Sequence, residues 1–173
     1  MAKDFLGMIL RDDLPNPIEA PELFDSVLTR RVTAFVIDCV VMGILLTAAT
    51  LVAGIAGFFT FFLAWLLLPV ILGVVFVGYY AFTLGSPSRA TLGMRAMDLV
   101  MTPTRNTRLD GWLAILHVIL FWITTAVLTP FILLFALFTP RRQLLHDMIA
   151  GTLVVRRSPM ERHWRTMNVS YPA

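Results

Sequence analysis

In a chain of 173 residues, hydrophobic side chains make up 58% and charged ones only 14%, a balance that excludes both an ordinary water-soluble domain and a disordered one. The formal net charge of +3 comes from 14 Lys and Arg against 11 Asp and Glu, and none of those 14 lies inside either long apolar run. With a single cysteine, Cys39, no intrachain disulfide can form.

In chain order, residues 1–24 carry Pro15, Pro17 and Pro21 among scattered acids, which suits a flexible or interfacial tail. An apolar signal-peptide core is not visible there. From Val32 to Leu84 run 53 residues with one charge, Asp38. Spanning about 30 Å of hydrocarbon takes roughly 20 helical residues, so this run fits two spanning helices. The first is expected from about Arg30 to Gly54, with a tight turn over Gly54 to Gly57. The second is expected from Phe58 to Leu84, kinked at Pro69. Phe58, Phe59, Phe61, Phe62 and Trp65 read as an interfacial aromatic belt.

Residues 85–111 hold four arginines with Pro87 and Pro103 and form an extramembrane segment. Thr91 to Met97 fits a short surface helix, and Met97 to Met101 a strand. Trp112 to Thr139 is a second apolar run of 28 uncharged residues. After it, Arg141 to Arg157 repeats the earlier layout of a polar start, an amphipathic piece, a glycine and the β-prone Thr152 to Val155. The two β-prone pieces are expected to pair outside the bilayer, although short apolar runs are ambiguous between helix and strand.

If Trp112 to Thr139 crossed once, eight Lys and Arg would face one side and six the other. If it turns near Thr129 and Pro130 and returns, all 14 share one side, as positive-inside bias requires. Two limbs of about 14 residues reach only roughly 21 Å each, so the expectation is a re-entrant pair or a broken helix.

Arg31 and Asp38 are seven residues apart, within about 20° of two full helical turns. The same face continues through Met42, Leu45, Ala49 and Ala53. The small residues Ala49, Ala53 and Gly57 favour close helix packing. A carboxylate inside a membrane helix costs about 2.5 to 3.5 kcal/mol at the centre and needs a cation, a proton, water or a bound ion. For Asp38 the alternatives are a structural salt bridge or hydrogen bond and an ion or proton site; Arg31 alone can snorkel to headgroups.

The segments RRVTAFVID, ATLGMRAMDLV and RRQLLHDMIAGTLVV, taken together, resemble the RDD family of small membrane proteins over roughly Asp25 to Arg157. That family is named for one arginine and two aspartates, and the resemblance assigns these roles to Arg31, Asp38 and Asp147. Where members commonly carry Gly-Lys-Arg this chain has Gly93, Met94 and Arg95, and where an arginine is common early in the last apolar segment it has His117. The resemblance implies transport of an unidentified ligand, with sodium or proton antiport associated with some relatives. For the three charges to form one network, Asp147 must lie on the Arg31 side of the membrane, which the returning topology alone allows.

His146 and Asp147 adjoin, but a dipeptide lacks the further ligands of a metal centre, so no metal is expected. His117 and His146 are candidate proton relays; the plainer roles are a hydrogen bond to a neighbouring helix for His117, an interfacial position for His146, and a cap or salt bridge for Asp147. No phosphate-cradling loop or nucleophile with a base appears, so neither an enzyme nor a cofactor is expected. The arginines flank spans without interleaved aromatics, which points to anionic lipid headgroups and away from nucleic acid.

The sequence therefore predicts an all-α integral membrane protein of a bacterial-type cytoplasmic membrane. It has two full spanning helices, a third kinked or re-entrant apolar segment, short interfacial elements pairing as β, and basic ends on the cytoplasmic side. A membrane domain over 25–157 lies between a tail of 1–24 and a tail of 158–173. Two functions compete. One is transport of a proton or monovalent cation through a site of Arg31, Asp38 and Asp147, in a homo-oligomer. The other is a scaffold that recruits a membrane-protein partner, with the charges purely structural.

Overall fold

The computed structural model describes residues 14, 16–104, 110–128, 136 and 138–166. The described residues are mostly helical, with one two-stranded sheet among them. Helix α1 runs unbroken over Val27–Phe59, 33 residues, or about 50 Å at 1.5 Å per residue. Among the described residues it is the one helix both long and apolar enough to cross a membrane by length and composition.

The expected turn at Gly54 to Gly57 is not there; α1 passes through both glycines. A glycine inside a helix costs only about 1 kcal/mol and leaves the hydrogen-bond ladder intact. Gly57 instead makes room for a ring: the Trp65 indole lies where its Cβ would be, and Trp65 Nε1 donates to the Gly54 carbonyl at 3.0 Å. The chain reverses at Thr60 to Phe62, where Phe61 and Phe62 take φ of 47° and 69°. Phe58, Phe59, Phe61, Phe62 and Trp65 are all exposed at this tip, the position an aromatic belt would occupy.

After the one-turn helix α2 (Leu63–Leu66) comes α3 (Leu68–Leu84). Pro69 therefore starts a helix instead of kinking one. In the first turn its missing N–H has no intrahelical partner to lose. Along α1 the buried positions are Val27, Ala34, Asp38, Met42, Ala53 and Gly57. This is close to the predicted stripe, except that Leu45 is exposed.

Beyond α3 a short helix α4 (Leu92–Ala96) and strand β1 (Leu99–Pro103) lead towards α5 (Gly111–Leu128). A Cβ on Gly85 would come within 2.9 Å of the Gly111 backbone, so the end of α3 abuts the start of α5. Fully buried Ala136 packs with Leu144 and Leu28, next to the start of α1. The second apolar segment thus begins and ends at the same end of the bundle. The predicted turn at Thr129 and Pro130 lies outside the described residues.

Helix α6 (Leu145–Ala150), strand β2 (Thr152–Arg156) and helix α7 (Arg157–Thr166) complete the described residues. Gly151, with φ of 69°, ends α6 in the left-handed conformation that glycine adopts without a Cβ penalty. The strands pair antiparallel, Leu99 opposite Arg156 and Met101 opposite Val154. β1 starts two residues later than predicted because Asp98, at φ 57°, is still turning out of α4.

One core joins α1, α3, α5 and the sheet through Val27, Ala34, Leu84, Met101, Val118 and Val154. A second lies on the other face of the sheet, where Val100, Leu153 and Val155 meet Leu23 and Phe24 on one side and Met160 and Trp164 on the other. Residues 20–24 and 158–166, read from sequence as parts of the two tails, therefore help build a packed cap on the arginine end. Strand alternation explains this double use, since successive side chains of a buried strand serve opposite faces.

Candidate functional site

Asp38 is buried one third of the way along α1, and its partners are neutral. Tyr79 Oη, from α3, donates to Asp38 Oδ1 at 2.6 Å. The Gly93 amide donates to the same oxygen at 2.8 Å, and Thr91 Oγ1 donates to Oδ2 at 2.6 Å. Thr91 is also the N-cap of α4, accepting from the Met94 amide at 3.1 Å. One carboxylate thereby ties α1 to α3 and α4. Gly93 is required for the approach, because a Cβ there would overlap the Ala34 carbonyl and lie 2.9 Å from the Asp38 carboxyl carbon. Of the two structural roles open to Asp38, the hydrogen bond to neighbouring helices is the one formed, in place of a direct ion pair with Arg31.

Arg31 bonds instead to Asp147, Nη1 to Oδ2, and its other arm reaches the Val154 carbonyl on β2 at 3.5 Å. Asp147 is the third residue of α6, and its Oδ2 also accepts from the Leu144 amide at 3.1 Å. It thus both caps and ion-pairs, as predicted. Burial acts to raise the Asp147 pKa, but the Arg31 guanidinium beside it holds the carboxyl below the usual carboxylate range.

The two candidate relay histidines converge on the second oxygen of the same carboxylate. His146 Nε2 lies 3.4 Å and His117 Nε2 3.8 Å from Asp147 Oδ1, and the rings meet edge to face with centroids 5.0 Å apart. His146 does not sit at an interface; it is buried. Its burial, reinforced by Arg31 and only partly opposed by Asp147, pushes its pKa down, so the imidazole is neutral near pH 7. Each ring is held from behind by a threonine: His117 Nδ1 is 3.0 Å from Thr152 Oγ1, and His146 Nδ1 is 3.4 Å from Thr124 Oγ1. The adjacent His146–Asp147 pair therefore does have a further ligating neighbour, His117, which the folding of α5 onto α6 supplies.

Arg31, Asp38, Asp147, His117 and His146 all line one cavity of about 120 Å³, whose other walls include Phe35, Tyr80, Val118 and Val154. The three charges named from sequence thus share a chamber without forming one chain of contacts. Sequence reasoning missed Tyr79, Thr91, Thr124 and Thr152, and saw Gly93 only as part of a motif. A tyrosine five residues before the end of an apolar helix and a threonine directly after a glycine, Thr152, were the available signals, but each is common without a functional role.

A family model described as the RDD family matches residues 26–151, from the residue before α1 to the glycine before β2. No curated protein and no solved structure matches the chain.

Proposed function

The chain belongs to the RDD family, a family of membrane proteins, and on that premise we propose that it is a multi-pass protein of a bacterial cytoplasmic membrane whose charged cavity takes up a proton or a monovalent cation. Exposed Val40, Ile44 and Val52 on α1, Phe82 on α3 and Val127 on α5 form the kind of outward apolar surface that lipid solvates. The α1–α3 hairpin supplies two spans, α5 enters from the cytoplasmic end, and the sheet with its capping helices lies in the cytoplasm among basic residues that meet anionic headgroups.

The observation that carries the reading is a charge balance. Two carboxylates, Asp38 and Asp147, line the cavity, and Arg31 is the one permanent cation among its lining residues. Counted formally, Arg31 offsets one of the two carboxylates, and no second permanent cation lines the chamber among the described residues. In a low-dielectric setting the carboxylate left over attracts one proton or one monovalent cation. Asp38, bonded by three neutral donors, keeps its carboxylate in the chamber without a cation of its own.

The test is cation-dependent proton flux in vesicles reconstituted with the purified full chain, followed with an interior pH dye. Wild type is expected to carry flux that Asp38→Asn loses. Equal flux from the two would reject this assignment.

A second reading draws on the Asp38 hub itself, since a carboxylate that ties three helices together suits a structural lock. In that case the protein is a non-transporting scaffold, and its small-residue surface around Ala48, Ala49 and Ala53 receives another membrane protein. Stoichiometric co-purification of a partner, with no flux by the chain alone, would favour it.

A further inference from the structure

We infer that His117 Nε2, His146 Nε2 and Asp147 Oδ1 form an open three-ligand site for a divalent transition metal of the zinc class, facing the cavity.

The argument starts from where the hydroxyl protons go. Thr124 Oγ1 donates to the Leu120 carbonyl at 2.8 Å, so towards His146 it can only accept, which places the proton of that ring on Nδ1. Thr152 Oγ1 has the Asp147 carbonyl at 3.4 Å and His117 Nδ1 at 3.0 Å; when its proton goes to the carbonyl, the His117 proton is on Nδ1. Both Nε2 atoms are then bare lone pairs, and both point at a carboxylate oxygen.

Asp147 is fully buried, and its Oδ1 has no hydrogen-bond partner among the described residues. Three acceptors converge with no donor between them, an arrangement that costs energy unless a cation joins them. Arg31 does not fill this role, because its guanidinium is engaged on the opposite oxygen, Oδ2.

The spacing fits a metal better than a hydrogen bond. Two ligands each 2.0–2.1 Å from a tetrahedral zinc lie about 3.3 Å apart. The His146 and His117 nitrogens are 3.4 and 3.8 Å from Oδ1, and one ligand atom from each of the three residues lies within 4.8 Å of the others, so the rings need to draw inwards to close on an ion. The threonines behind the rings are the partners that fix imidazole tautomer and direction in metal sites. Two imidazoles with one carboxylate select zinc or a neighbouring first-row ion over magnesium or calcium, which prefer all-oxygen shells. All three residues line the cavity, so a fourth position is left for water or an exchangeable ligand, as in sites of the open kind.

This inference does not rest on flux and is tested without it. The full chain in detergent is stripped with a chelator and titrated with Co2+, whose visible absorption reports low coordination. Expected are uptake of one ion per chain, displacement by Zn2+, and a chelator-reversible rise in melting temperature. His117→Gln and His146→Gln should abolish the signal. Thr124→Val and Thr152→Val, which keep side-chain volume, should weaken binding by about 10- to 100-fold, and His163→Gln, outside the cluster, should leave it unchanged. If a histidine variant fails to melt cooperatively, the threonine pair carries the test. Absence of one-per-chain uptake by cooperatively melting wild type overturns the site, as does binding indifferent to the histidine and threonine substitutions.

Discussion

The Arg31 guanidinium, on the second turn of α1, closes on the Asp147 carboxylate 116 residues later in the chain. This pair joins the first helix of the bundle to the segment that returns from the second apolar run. The Arg31 side chain is 10% exposed and that of Asp147 0%, so neither charge has bulk water to fall back on. Removing one partner of such a pair leaves the other uncompensated. Arg31→Met and Asp147→Leu are each expected to destabilise the protein by about 3 to 5 kcal/mol. The double variant should lose much less than the sum, because no orphaned charge remains. Denaturant unfolding in micelles measures the cycle; strictly additive losses would show that the two side chains are energetically independent.

Asp38 makes a contrasting prediction, since its partners are neutral and separately removable. A hydrogen bond to a charged group contributes about 1.5 to 3 kcal/mol. Tyr79→Phe and Thr91→Val should each cost an amount in that range, and Thr91→Val should cost more because the α4 cap goes with it. Melting of the two variants beside wild type checks the ranking. Values near zero would mean that water replaces the lost donors and that the cavity is wetter than its apolar walls suggest.

Two glycines on the same bundle should respond oppositely to an added methyl. At Gly93 a Cβ meets the Ala34 backbone and the Asp38 carboxyl; at Gly43 it meets nothing within 4 Å. Gly93→Ala therefore forces α4 away from α1 and is expected to cost about 3 kcal/mol, the upper end of overpacking, with weakening of the Asp38 network. Gly43→Ala adds helix propensity at no steric cost and should stabilise by up to about 1 kcal/mol. Comparable losses at both positions would refute the packing of α4 on α1.

These contacts also indicate what a sequence can and cannot disclose. The Arg31–Asp147 pair was legible through the family resemblance, which named both residues, with charge bias placing them on one side of the membrane. The short helix and strand after Pro87, and their counterparts after Arg142, were legible from repeated local pattern. The position of the α1 reversal was not, because a glycine-rich stretch serves equally for a turn or for close packing. The Trp65 ring that decides the matter lies beyond the next turn. His117 was legible as a polar group in an apolar run, yet its place beside His146 depends on how α5 settles against α6. Arg31 choosing Asp147 over Asp38 is likewise tertiary: along one helix the two are merely on the same face, whereas α6 brings its carboxylate to the guanidinium.

The cap at the arginine end supplies a pH-dependent prediction. Asp98 Oδ1 accepts from the Ser158 amide at 3.0 Å and the Ser158 hydroxyl at 2.6 Å, and its Oδ2 faces Arg156 at 3.3 Å. A residue at the end of α4 thereby caps the first turn of α7 across the sheet. Burial works to raise the Asp98 pKa, but the two Ser158 donors and Arg156 outweigh it and leave the carboxyl below its usual range. A pKa lower in the folded chain than in the unfolded one means that the unfolded chain binds the proton first. The stabilisation is therefore complete above the unfolded value of about 3.9 and disappears as pH falls from there through the folded value. Asp98→Asn tolerates the left-handed backbone at φ 57° but has no charge to titrate. Its melting temperature should lie below that of wild type at neutral pH, and the gap should shrink on acidification below about pH 4. Asp147 titrates in both proteins, so the difference between the two curves isolates Asp98. A gap that stays constant into the acid range would assign the Asp98 effect to shape and hydrogen bonding alone, with no contribution from its charge.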